Sequence, residues 1–222
     1  MAITRITTSA VTDDSVTLAK MAPGTDGNLI TYDASGNPAA VATGSAGQVL
    51  TSAGAGAPPT FAAAGGITET DIWRVTSSFV GDADPITSNW ERADDATAGR
   101  LGTGMTESSG VFTFPSTGIW LVTFTRNGYT NNNADRAMKA NIKISSNSGG
   151  SYDYVSISFG NSLDTSVGIV HMSATARAII DVTNASTFRA TFTANGNNSN
   201  SSTYGDSDLN LTWVEFIRLG DT

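Results

Sequence analysis

The chain has no cysteine, a single histidine, only 12 Lys and Arg against 20 Asp and Glu, and no long apolar run. Each shortage removes a class of explanation. Without cysteine there is no disulfide, thiolate metal centre or cysteine nucleophile, so stability has to come from burial and association. A net charge of −8 leaves no clustered positive charge to neutralise phosphates, which argues against a nucleic-acid partner and fits simple solubility. No stretch reaches the roughly 20 apolar residues of a membrane-spanning helix, so membrane insertion is not expected. The opening MAITRITTSAVTDD lacks a hydrophobic signal-peptide core, so export by that route is not expected either.

What remains is a polar surface of Ser, Thr, Asn and Gly, residues of turns and sheets rather than of helices. No segment carries a helical apolar stripe, and the composition reads as all-β. Its plainest signal is a repeat. Residues 24–43, GTDGNLITYDASGNPAAVAT, and 44–63, GSAGQVLTSAGAGAPPTFAA, align Gly24 with Gly44, Gly27 with Gly47, Gly36 with Gly56 and Pro38 with Pro58. In the same alignment Leu29-Ile30 meets Val49-Leu50, and Val41 meets Phe61. A period of about 20 residues signals a repeat architecture. Each unit has too few large apolar side chains to offset about 1–2 kcal/mol per residue of backbone ordering. Further copies of the same chain are the economical way to complete it, with Leu29, Ile30, Val49, Leu50 and Phe61 turned inward along a shaft. A flexible Gly/Ala linker is the competing reading, disfavoured by large apolar residues at matched positions.

Residues 1–23 form an arm too poor in apolar residues to fold alone, in which Asp13 and Asp14 can cap a short helix. Beyond Ile67 the composition changes, and all four Trp lie there. Strand-like runs occur at 71–79, 110–114, 118–125, 137–145, 154–159, 167–174, 178–182, 187–194 and 209–219. In ANIKIS, Ala140, Ile142 and Ile144 alternate with Asn141, Lys143 and Ser145, the pattern of a half-buried strand. Eight or nine strands separated by turn-rich segments indicate a β-sandwich or jelly roll. The organisation is therefore an arm at 1–23, a repeat stalk at 24–66 and a head domain at 67–222.

Chemistry is sparse. His171 sits in a strand-like run, and a hydrogen-bonded strand histidine is the expected role; no metal site or catalytic triad is built from it. Acidic pairs occur at Asp82/Asp84, Asp94/Asp95 and Asp206/Asp208, the last being a weak Ca²⁺ candidate without a Ca²⁺-loop consensus. No paired-carboxylate motif for glycoside hydrolysis is present, so neither an enzyme nor a cofactor is expected. Segments 127–135, 146–153 and 195–208 read instead as Asn/Ser/Tyr loops. They place Tyr129, Asn131, Asn132, Tyr152, Tyr154, Asn198 and Tyr204 as receptor-binding candidates, because an aromatic platform beside adaptable hydrogen-bonding groups suits recognition of protein or glycan.

FPSTGIWLVTFT (114–125), GGSYDYVSISF (149–159) and the terminal LTWVEFIRLGDT (211–222) make the head resemble the jelly-roll family of tumour necrosis factor and complement globular heads. That resemblance implies a homotrimer with both ends of the head near the axis. Residues 16–61 resemble the shaft segments of bacteriophage virion fibres, which precede a variable head. This second resemblance implies a virion location, with residues 1–23 docked on a tail or capsid protein. The sequons at Asn184 and Asn210 carry no weight in that setting. Two functions are then expected as alternatives: a receptor-binding tail fibre that contacts a host-surface glycan or protein, or a capsid-decorating fibre that stabilises the shell.

Overall fold

Prolines, glycines and β-branched residues leave short extended segments as the economical local structure, and the chain is built from them. The computed structural model describes residues 24–36, 38–95, 99–131, 137–161, 168–196 and 201–222. The arm at 1–23, and with it the short helix that Asp13 and Asp14 are expected to cap, lies outside these residues. The chain forms two compact units, one running through Gly65 and one spanning Gly66–Thr222.

In the first unit each repeat closes on itself as an antiparallel hairpin. Strand β1 (Leu29–Tyr32) pairs with β2 (Pro38–Val41), and β3 (Gln48–Thr51) pairs with β4 (Thr60–Ala63). The preceding turns are equivalent: Asn28 N donates to Thr25 O at 3.2 Å, and Gln48 N to Ser45 O at 3.1 Å. Gly27 and Gly47 hold φ of 81° and 85° in those turns, a conformation that costs a glycine little.

The registers differ by one residue. Leu29 faces Val41, but its counterpart Val49 faces Ala62, and Leu50 faces Phe61. Pro59 stands where the first repeat has Ala39; lacking an N–H, it delays β4 to Thr60. A Cβ on Gly44 would come within 2.6 Å of the Phe61 ring, so glycine there makes room for it. Val41 is buried, whereas Leu29, Ile30, Val49 and Leu50 remain 40–65% exposed.

The second unit contains twelve strands among the described residues. They are β5 (Thr70–Val75), β6 (Phe79–Val80), β7 (Trp90–Arg92), β8 (Thr106–Ser108), β9 (Val111–Thr113) and β10 (Gly118–Asn131). There follow β11 (Ala137–Ser145), β12 (Asp153–Asn161), β13 (Ile169–Val182), β14 (Arg189–Gly196), β15 (Ser202–Thr203) and β16 (Trp213–Gly220). One sheet runs β7–β5–β16–β10–β13, with β15 and β6 alongside the far end of β10; the other runs β12–β11–β14–β9–β8. No helix occurs among the described residues, and the unit is an all-β jelly-roll sandwich. Its first and last strands pair directly, Ile217 opposite Thr70.

The expected eight or nine strands are corrected to twelve for two reasons. The runs at 167–174 and 178–182 fuse into β13, because Thr175-Ala176-Arg177 continues the alternation and Ala176 is buried. The two- and three-residue strands β6, β7, β8 and β15 are too short to show a pattern of their own and are held by their neighbours. A second correction concerns the segment 127–135: its first five residues continue β10 instead of forming a loop.

The core lies between the sheets. Trp120, Val122 and Phe124 of β10 and Val214 and Phe216 of β16 meet Phe112, Ile142 and Phe192 from the opposite sheet. Phe112 is the hub, with ring centroids of Trp73, Trp90, Phe192 and Phe216 at 5.3–5.5 Å. Such pairs add about 0.5–1.5 kcal/mol each beyond burial. Ala140, Ile142 and Ile144 face this core as the alternation predicts. Asn141 and Ser145, placed on the outer face, are buried as well, at 3% and 1% exposure.

Candidate functional site

Alternation along the fourteen residues of β10 sends Trp120, Val122, Phe124 and Arg126 inward and turns Leu121, Thr125 and Tyr129 to the outer face. Pairing with β13 sets Tyr129 opposite His171. Tyr204, just after β15, is pinned by its N–H donating to Asn127 O at 2.9 Å. The three rings form one patch. Tyr129 and Tyr204 centroids lie 5.3 Å apart, and His171 stacks on Tyr204 at 5.8 Å and 26°. The Tyr204 hydroxyl and His171 Nδ1 share a hydrogen bond of 2.8 Å. Burial, and then the neighbouring Tyr129, push the Tyr204 phenol above its ordinary value.

His171 is thus a hydrogen-bonded strand histidine. Its bond goes to the Tyr204 phenol, and the patch presents two tyrosine rings beside this hydrogen-bonded pair. Asn131 lies exposed at the end of β10, in the same strand as Tyr129. Eight residues back along β10, Leu121 faces Ile179, which is 67% exposed. That separation is roughly 27 Å at strand rise.

The other candidates fall elsewhere. Tyr154 lies in β12 rather than in a loop, on the second sheet, where its hydroxyl donates to Asp84 Oδ2 at 3.3 Å. Lys143 donates to Asp84 Oδ1 at 2.8 Å, and this bond raises the lysine above its usual value. Tyr152 sits in the turn before β12, its phenol pushed up by burial. Asn132 and Asn198 lie outside the described residues. The candidates therefore divide between two sheets instead of forming one loop cluster. Strand alternation through Asn127–Tyr129 was the signal that could have located Tyr129 on a sheet face and found its partner His171.

The acidic pairs have structural work. Asp94 and Asp95 each accept from Arg74 at 2.7 Å, and Asp82 accepts from Gly196 N. Asp206 Oδ1 accepts from Asp208 N and Leu209 N at 2.8 and 2.9 Å, a local turn rather than a cation loop. Among the described residues, no three of His, Cys, Asp or Glu converge to hold a metal ion.

Sequence reasoning did not find Arg126. Its guanidinium is fully buried between the sheets, donating to Thr203 Oγ1, Ser201 Oγ and the carbonyls of Lys139 and Asn195. Burial lowers it to about 10, opposed by the charge of Asp82.

No family model and no curated protein matches the chain. Among solved structures, the Eiger TNF of S. frugiperda superposes with a TM-score of 0.51 at 10% identity, covering 71% of this chain and 96% of that one. Murine APRIL at pH 8.5 superposes with a TM-score of 0.47 at 10% identity, covering 68% and 98%. At such identity the likeness concerns the fold, which is a TNF-like jelly roll.

Proposed function

We propose that this protein is a non-enzymatic bacteriophage virion fibre, a homotrimer whose jelly-roll head binds the host cell surface. The observation that carries the reading is the unpartnered apolar surface of the repeat unit. Leu29, Ile30, Val49 and Leu50 stand 40–65% exposed on two small hairpins that have little core of their own. A two-stranded hairpin is marginal in water, and association around a threefold axis supplies the missing burial. Exposed Ile179 beside Leu121 extends the same need into the head. The resemblance of residues 16–61 to fibre shafts supports the virion setting, with residues 1–23 as the attachment arm.

The aromatic patch of Tyr129, His171 and Tyr204 supports adhesion, because rings rimmed by hydrogen-bonding groups suit surface recognition. Three heads raise effective concentration at the cell surface without new contacts. The second reading, a capsid-decorating fibre, draws support from the brevity of a two-repeat stalk.

Native mass spectrometry of the full chain tests the assembly, with three copies of the 22.9 kDa chain expected and a monomer contradicting it. Electron cryomicroscopy of the particle then separates the two readings. Residues 1–23 against tail protein support the adhesin, and against capsid protein they support decoration.

A further inference from the structure

The outer face of the β12–β11–β14 sheet holds a cavity of about 340 Å³, lined among others by Asp82, Lys139, Asn141, Tyr154, Phe159 and Asn195. Register explains the convergence. Lys139 lies opposite Phe159 on one side and Asn195 on the other, while Asn141 lies opposite Ile157 and Thr193. The walls are aromatic: Phe159 is 56% exposed and Tyr154 50%. Lys139 Nζ stands 5.5 Å from the Phe159 centroid, and Lys143 Nζ stands 4.9 Å from that of Tyr154.

The floor is polar and incompletely satisfied. Asn141, 3% exposed, donates from Nδ2 to Thr193 Oγ1 at 2.7 Å and to Asn195 Oδ1 at 2.9 Å. Its Oδ1 is buried and accepts no hydrogen bond. A buried orphan acceptor carries a penalty that a leucine of similar shape would not. Below, Arg126 donates to the carbonyls of Lys139 and Asn195, fixing the two strands that carry the floor. At the rim the Asp82 carboxylate, holding Gly196 N, keeps further acceptor capacity.

We propose that this cleft binds a sugar ring of a host-surface glycan, an inference that rests on the adhesin reading above. A pyranose presents a C–H face, which stacks on Phe159, and hydroxyl donors, which reach the Asp82 carboxylate at the rim. The cavity is of a size for about one or two such rings.

The test probes the full-length protein on an array of neutral and acidic oligosaccharides, beside Phe159→Ala, Phe159→Trp and Asp82→Asn. Wild type is expected to bind at least one saccharide class. Phe159→Ala should reduce that signal more than about tenfold, Asp82→Asn should weaken it, Phe159→Trp should keep it, and oligomeric mass should not change. A silent array, or equal binding by Phe159→Ala, overturns the proposal. So does a change of mass in Phe159→Ala, which assigns that exposed ring to a subunit contact, and so does loss to a peptide competitor with no saccharide signal. Adhesion to a panel of bacterial cells keeps the two readings apart. If wild type and cleft variants adhere equally, the cleft fails and the adhesin survives; if wild type adheres to none, the adhesin itself fails.

Discussion

The guanidinium of Arg126, on β10 of one sheet, donates to the backbone carbonyl of Asn195, on β14 of the other, at 2.6 Å. A buried cation therefore bridges the sandwich through carbonyl and hydroxyl oxygens, without a direct carboxylate partner among its hydrogen bonds. Arg126→Met strands those acceptors in a closed site and is expected to cost about 2–4 kcal/mol. Thermal unfolding followed by circular dichroism should show a midpoint lowered by roughly 5–15 °C. A loss below about 1 kcal/mol would mean that the interior repacks or hydrates easily, and the bridge would lose its structural role.

Lys143 predicts a pH dependence. Its hydrogen bond to Asp84 raises the folded-state value above the ordinary 10.5. The folded form then holds the proton more tightly than the unfolded form, so the contribution is complete below 10.5 and is lost as pH rises through the folded value. The stability difference between wild type and Lys143→Met, from urea melts at successive pH values, should be flat from neutral pH to about pH 10 and shrink above it. A difference that grows with alkalinity would contradict the assignment.

The repeat unit predicts a charge-sensitive assembly. Leu29→Asp combined with Leu50→Asp places six carboxylates in the trimer at positions proposed to face one another. Uncompensated burial of charge is prohibitive, so the assembly should dissociate or loosen, as read by sedimentation velocity. A trimer of unchanged mass and melting temperature would show that these side chains point to solvent.

The aromatic patch predicts separable adhesion. Tyr129→Ala with Tyr204→Ala removes two rings and the hydrogen bond to His171, and is expected to weaken cell binding at least tenfold while the trimer persists. Flow cytometry with labelled protein measures the first effect and native mass spectrometry the second. Intact adhesion would exclude the patch from receptor contact, and a dissociated trimer would make it a subunit interface.

Much of this architecture was legible in the residues. Absent helical stripes and abundant turn residues specify a β protein, and the matched glycines of the two repeats mark equivalent turns because only glycine holds φ near 81° and 85° without strain. The alternation of Ala140, Ile142 and Ile144 identifies a core face, since side-chain direction in a strand has a period of two. The candidate site was less legible. Tyr129 looked like a loop residue because Asn-Gly at 127–128 imitates a turn. Gly128 instead allows β15 to approach, as a Cβ there would collide with the carbonyl of Ser202.

Local sequence thus determined what each segment can be: extended or turned, with one face apolar, in a chain that can make no disulfide. Tertiary structure alone decided which faces meet. The approach of Tyr204 to His171, the burial of Arg126 between sheets and the closing of a cleft over Asn141 join residues 33, 69 and 54 positions apart. Such contacts depend on strand order and register, which short-range periodicity does not encode, because a pattern of period two fixes a strand's faces but not its neighbour.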